Sequence, residues 1–263
     1  MSDVESKSFL RPGKLFLLVL LGLFIYLGAL IVFVPAGWVW QQASPHVPLP
    51  AQVQVKQVAG KVWDGAAGVV VAGFPLRIQW QLGWPSLGAL EQPVRISVES
   101  RQSSVSGDLS LDWPANARLN ARGTIAVAEF EGLIRRSGGA MIEGDVSIDR
   151  LILEWADDRI VRADGLGTWA GGRVSWPMGN QTGQAQFPPM QANLDTTDGG
   201  VALVVAEQAG NGPAADASIL WNGMLELRIY KRMIDLAGQP WPDTASPDDV
   251  VFRVRQPLLP GGR

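Results

Sequence analysis

Residues able to run acid–base, nucleophilic or metal chemistry are few in this chain and badly grouped for it. The only histidine, His46, sits in a proline-flanked stretch, and there is no cysteine. Zinc needs several sulfur or imidazole ligands, so no metal cage is expected. Two adjacent carboxylate pairs stand out, Asp157-Asp158 and Asp248-Asp249. Neighbours on a strand point to opposite faces, so adjacency builds no general acid–base dyad. Both pairs lie beside turn-like sequence, and solvated turns are the expectation for them. A glycosidase-type carboxylate pair assembled by folding is the one enzymatic route left open. No Gly-x-Ser-x-Gly elbow, Ser-x-x-Lys pair or Gly-x-x-x-x-Gly-Lys phosphate loop occurs. The sequence therefore predicts a protein that is no enzyme, with no catalytic, cofactor-binding or metal-binding residues.

A different set of residues recurs. Trp63-Asp64-Gly65, Trp169-Ala170-Gly171 and Trp221-Asn222-Gly223 are three Trp-x-Gly steps, each followed by strand-like alternation. Glycine accepts a positive φ, and a tryptophan beside it can cap an apolar face. These six residues are expected to be structural turn motifs rather than ligand contacts.

The elements that must position them read as strands. Leu76, Ile78, Trp80 and Leu82 fall on one face of a run whose other face is Arg77, Gln79 and Gln81. That period of two marks a half-buried strand. Similar runs are read at 52–58, 94–99, 105–111, 119–127, 146–155, 160–163, 173–176, 184–191, 201–207, 219–229 and 250–255. The 146–155 run changes phase near Arg150, as at a bulge or turn. Helical signals are limited to one turn from Pro85 and a short helix within 228–238 ended by Gly238. The fold class expected is all-β, a mostly antiparallel sheet domain forming either one curved sheet or a sandwich. Crossover helices for a parallel sheet are missing.

Ahead of the strands, residues 15–34 form an uncharged, proline-free run of twenty residues. At a 1.5 Å rise this makes a helix of about 30 Å, the thickness of a hydrocarbon core. Lys7, Arg11 and Lys14 precede the run, and no Lys or Arg follows until Lys56. The positive-inside rule then keeps the N-terminus cytoplasmic, and Trp38 and Trp40 fit an outer aromatic belt. Bulky Pro35-Ala36-Gly37-Trp38 in place of a small-residue cleavage site favours a retained anchor over a signal peptide. The organisation expected is a cytoplasmic tail at 1–14, a transmembrane helix at 15–34 and a proline-rich, extended linker at 35–51. A β-rich periplasmic domain at 52–239 and a proline-rich C-terminal extension at 240–263 follow. A net charge of −3 and a charged fraction of 18% leave no basic footprint for nucleic acid.

Together, the short tail, the single span and the run Val58-Ala59-Gly60-Lys61-Val62-Trp63-Asp64-Gly65-Ala66 resemble a known family. It is protein N of the bacterial type II secretion system, whose Gly-x-x-Trp-x-Gly stretch that run is similar to. The strand with Trp80, then Leu82-Gly83-Trp84-Pro85-Ser86-Leu87, and later Gly165 to Gly172, are similar in type and spacing. The resemblance implies an inner-membrane accessory component that supports export of folded proteins across the outer membrane. Its partners would be other inner-membrane components of the secretion machinery, met by protein docking, and it brings no catalytic residues. Separately, many strands with one clean apolar face and few helices to cover it point to a second possibility, a periplasmic protein that binds or bridges lipid or another amphiphile.

Overall fold

Successive short alternating runs pair with their neighbours in the chain and build one wide antiparallel sheet. The computed structural model describes residues 12–47, 49, 53–71, 73–83, 91–112, 116–136, 140–156, 159–179, 181–241 and 244–257. Helices α1 (Pro12–Val32) and α2 (Ala36–Ala43) come first, then a 3-10 turn at Ser44–His46. Strands β1 (Val53–Gly60), β2 (Asp64–Val71), β3 (Phe74–Leu82), β4 (Glu91–Glu99), β5 (Ser104–Asp112) and β6 (Asn116–Ala126) follow. A 3-10 turn at Val127–Phe130, α3 (Glu131–Arg136) and the short β7 (Met141–Ile142) lead to β8 (Asp145–Ala156) and β9 (Arg159–Trp169). Next come β10 (Gly172–Met178), β11 (Gln181–Phe187), β12 (Met190–Thr197), β13 (Gly200–Glu207), β14 (Pro213–Leu220) and β15 (Met224–Tyr230). Helix α4 (Lys231–Leu236) and β16 (Val250–Pro257) end the fold.

Thirteen strands form the main sheet in the order β1-β2-β3-β4-β5-β6-β8-β9-β12-β13-β14-β15-β16, and β11-β10-β7 form a second, small sheet. The all-β, mostly antiparallel expectation is met, with thirteen strands in one main sheet. The small sheet comes from two excursions, one between β6 and β8 and one between β9 and β12. It packs over one end of the main sheet, where the buried cluster of Trp169, Val174, Phe187, Met190 and Ala214 lies.

Register puts apolar residues opposite one another across the whole sheet. One row runs Trp80, Ile96, Gly107, Ala121, Leu151, Gly165, Leu194, Leu203, Ala217, Leu227 and Val254. Directly paired residues share a face, so this is a continuous apolar stripe. The register shift between Ile148 and Arg150 keeps it continuous: Ile148 pairs with Gly167 and Leu151 with Gly165. The extra residue restores the phase that simple alternation would lose, as the sequence around Arg150 suggests. The opposite face carries exposed cross-strand ion pairs such as Arg95–Asp108, Arg118–Glu154 and Arg253–Glu226. Each is worth little alone, but together they keep that face wet.

Local structure departs from the sequence reading in several places. The segment expected to be an extended linker starts with α2 and the 3-10 turn instead. Residues 36–43 hold no proline, and Pro45 stands in the first turn of the 3-10 segment, where proline is tolerated. Gly37 lets α2 sit tightly on β1, since a Cβ there would lie 2.9 Å from the Val58 carbonyl oxygen. The run read as one strand at 184–191 is two, β11 and β12, separated at Pro188-Pro189; the run at 219–229 joins the end of β14 to β15 across a turn. The short helix expected within 228–238 is α4, Lys231–Leu236. Its end is as expected: Gly238 has φ +61°, and its N–H and that of Gln239 donate to the carbonyls of Asp235 and Ile234. Finally, β16 lies inside the stretch set apart as a C-terminal extension and completes the main sheet. The helical turn expected from Pro85 lies outside the described residues.

In α1 the described side chains stand exposed, among them Phe16 at 71% and Phe24 at 77%. Among the described residues no helix is long and apolar enough to cross a membrane.

Candidate functional site

The feature with the clearest chemical character is an apolar cavity of about 580 Å³ at the covered end of the main sheet. Its floor is a second apolar row, in which Gly167, Ala192, Val205 and Ile229 belong to β9, β12, β13 and β15. Val174, Trp176 and Phe187 of the small sheet lie over it, and Met233, Ile234 and Ala237 of α4 and its C-cap close one side. The reason for the space is local. Gly167 and Ala192 face each other on adjacent strands and contribute almost no side-chain volume. A Cβ built on Gly167 would meet only the Ser147 carbonyl oxygen, at 3.2 Å. Next along these strands, Trp169 and Met190 pair and are buried, so they wall the cavity at that side.

Trp169 is held by a hydrogen bond from its indole N–H to the Glu143 carbonyl at 2.8 Å. That contact ties β9 to the segment between β7 and β8. Gly171 has φ +84°, and a Cβ there would lie 2.7 Å from the Pro188 carbonyl carbon, so the turn into the small sheet admits only glycine.

The other two Trp-x-Gly steps are built differently. Trp63 is 39% exposed and Trp221 48% exposed, so of the three rings only that of Trp169 lies in the core. Gly65 lies within β2 directly opposite Trp80, and a Cβ there would come within 2.5 Å of the Trp80 ring. The glycine is there so that the Trp80 indole can lie across it and donate to the Val62 carbonyl at 2.9 Å. Trp221 and Gly223 form the β14–β15 turn, with Gly223 at φ +76° and the Trp221 indole donating to the Asp198 carbonyl at 3.1 Å.

The turn around Trp63 also receives the end of α1. The Val62 N–H donates to the Val34 carbonyl at 3.2 Å, Pro35 bridges to Lys61, and the Lys61 ammonium lies 4.5 Å from the centre of the Phe33 ring. Three residues after α1 therefore rest on the Gly60–Gly65 motif.

Among the described residues, those considered for chemistry are not brought together. His46 is exposed in its 3-10 turn. Asp248 pairs with Arg232 at 2.6 Å, and the Asp249 carboxylate accepts from the Ser246 N–H at 2.8 Å. Their stretch of backbone caps α4, with Lys231 and Arg232 N–H groups donating to the Asp249 and Pro247 carbonyls. Asp157-Asp158 lies outside the described residues. Among the described residues no group of three or more His, Cys, Asp or Glu side chains could hold a metal ion.

Two polar clusters were not singled out by sequence. Asp216 is buried, accepting from Arg228 at 2.8 Å and from the Tyr230 hydroxyl at 2.5 Å. The Asp216 contact raises the Arg228 pKa, while burial and then Asp216 push the Tyr230 phenol up. Glu129 accepts from the Ser100 hydroxyl, the Arg101 N–H and the Ser103 hydroxyl. These bonds, that from Ser100 foremost, lower its pKa. Both clusters lock strands and turns. The charge pattern of Asp216, Arg228 and Tyr230 at alternate positions of a hairpin was the signal available for the first; the second is assembled from distant segments.

Two comparisons with known proteins return nothing: no curated protein and no solved structure matches this chain. The family model described as type II secretion system (T2SS), protein N matches residues 51–240. That stretch runs from just before β1 through α4, and so includes every wall of the cavity.

Proposed function

We propose, from the premise that this chain belongs to the type II secretion system protein N family, that it is an inner-membrane accessory component supporting export of folded proteins across the outer membrane. The family match over 51–240 is the observation that carries this reading. In it, residues 15–34 span the membrane once, the N-terminus is cytoplasmic and the sheet domain is periplasmic. The flanking charge asymmetry and the exposed apolar surface of α1 support that orientation. The exposure of Trp38, 61% at the start of α2, supports a role for it as an interfacial aromatic.

The domain works by docking. β16 is an edge strand of the main sheet, and Val250 and Phe252 are 40% and 52% exposed along it. An edge strand offers unpaired backbone groups and alternate side chains to an incoming strand. The partners in this reading are other inner-membrane components of the secretion machinery.

Deleting the gene is expected to lower the extracellular yield of secreted enzymes while they accumulate in the periplasm. An unchanged secretion profile overturns the reading. A phosphatase fused after residue 263 is expected to be active, since it would lie in the periplasm; activity only of a cytosolic reporter overturns the topology. Val250→Lys together with Phe252→Lys should reduce complementation of the deletion if β16 is the docking edge, with protein levels checked by immunoblot.

A further inference from the structure

We infer that the cavity between the main sheet, the small sheet and α4 is a binding site for a single acyl chain of a membrane amphiphile. Its volume of about 580 Å³ falls within the ~300–1,000 Å³ of ordinary small-molecule sites. Its lining is what narrows the ligand class. Glycine, alanine, aliphatic, methionine and aromatic residues make most of the floor, roof and side; Thr168, Gln191 and Gln239 are the polar residues in the lining, and no charged side chain lines it. A buried water requires two to four polar partners, and these walls provide almost none. A sugar, nucleotide or peptide backbone would lose its hydrogen bonds here without replacement.

An elongated ligand is favoured over a compact one by what the cavity joins. Its floor row continues along the sheet through Ile148, Gly123, Val105, Val98 and Ile78. All of these residues are apolar and only half-buried. The covered cavity is thus the closed end of an apolar strip that crosses the strands toward the α1 side of the sheet. A hydrocarbon chain fits both parts, with its polar head held outside the closed end. A protein segment is disfavoured because its backbone would find few partners among these walls. The inference stands apart from the secretion role and does not depend on it.

The test uses the full chain in neopentyl-glycol maltoside micelles with two photoactivatable probes, each with a diazirine near the chain end. One is a palmitic acid and the other a phosphatidylglycerol with the same chain. Crosslinked peptides are mapped by mass spectrometry. Label is expected on peptides containing Val174–Trp176 and Met233–Ile234, and excess unlabelled palmitoyl lipid should reduce it. Ala192→Phe projects a ring into the floor and should reduce that label at least tenfold; Val205→Phe is the second variant should the first misfold. Both are judged against an unchanged thermal midpoint. Label from the free acid alone, or from the phospholipid alone, identifies the source of the chain, and either result supports the site. Label confined to residues 12–47, label that unlabelled lipid does not displace, or label unchanged in the folded variants overturns it.

Discussion

At the scale of single residues, three similar-looking tryptophans divide by burial. Trp169 sits in the core cluster with its indole bonded to Glu143, whereas Trp221 is 48% exposed in a turn. Trp169→Ala should cost ~3–5 kcal/mol, as buried aromatic truncations do. Trp221→Ala should cost about 1 kcal/mol, the size of one lost hydrogen bond; urea denaturation of the two variants checks the contrast. Glu129 makes a pH prediction with a definite sign. Its folded pKa is lowered by the Ser100 hydroxyl and the neighbouring donors. Its contribution to stability is therefore fully present above its unfolded value of 4.5 and is lost as pH falls through the lower folded value. Glu129→Gln should lower the thermal midpoint at pH 7, and the gap to the parent should shrink progressively below pH 4.5. A gap that is constant with pH would detach the carboxylate's charge from the β4–β5 turn.

At the scale of elements, legibility follows the side chains. Strands such as β3 and β4 alternate large apolar and polar residues, and their existence could be read directly. β2 escaped because Asp64–Val71 reads Asp-Gly-Ala-Ala-Gly-Val-Val-Val, with little to alternate. Its identity comes from β1 and β3 on either side, which no local pattern reports. β14 is hidden in the same way by small residues, and α2 by its length of eight residues. Gly238 was legible because a C-terminal cap is a local device. Gly238→Ala should cost about 1–2 kcal/mol, the strain of a side chain at positive φ, measurable as a lowered unfolding midpoint. β16 is coupled to α4 through the Pro247 and Asp249 carbonyls. Ending the chain at Trp241 removes those acceptors and bares β15, so such a protein should melt earlier and self-associate on gel filtration.

At the scale of the whole molecule, the broad class was legible and the site was not. A sheet of many strands with one apolar face follows from repeated alternation. The cavity needs Gly167, Ala192, Val174 and Met233, residues from four elements that are separated in sequence. The nearest local hint was the pair Gly165 and Gly167 on one face of β9, since glycine inside a strand marks space or a close neighbour. The small sheet that roofs the cavity is assembled from two separate excursions, and nothing within either one announces the other.

Strand order has a consequence for how the molecule is made. From β1 to β6 every strand pairs with the one synthesised immediately before it, and from β12 to β15 the same holds. Along both stretches a chain folding from its N-terminal end finds the previous ribbon waiting, so closure there needs only short loops and little entropy is lost at each step. Growth would proceed as a zipper away from α1. The growing lip would advance strand by strand until β16, the last to be added, becomes the outer edge.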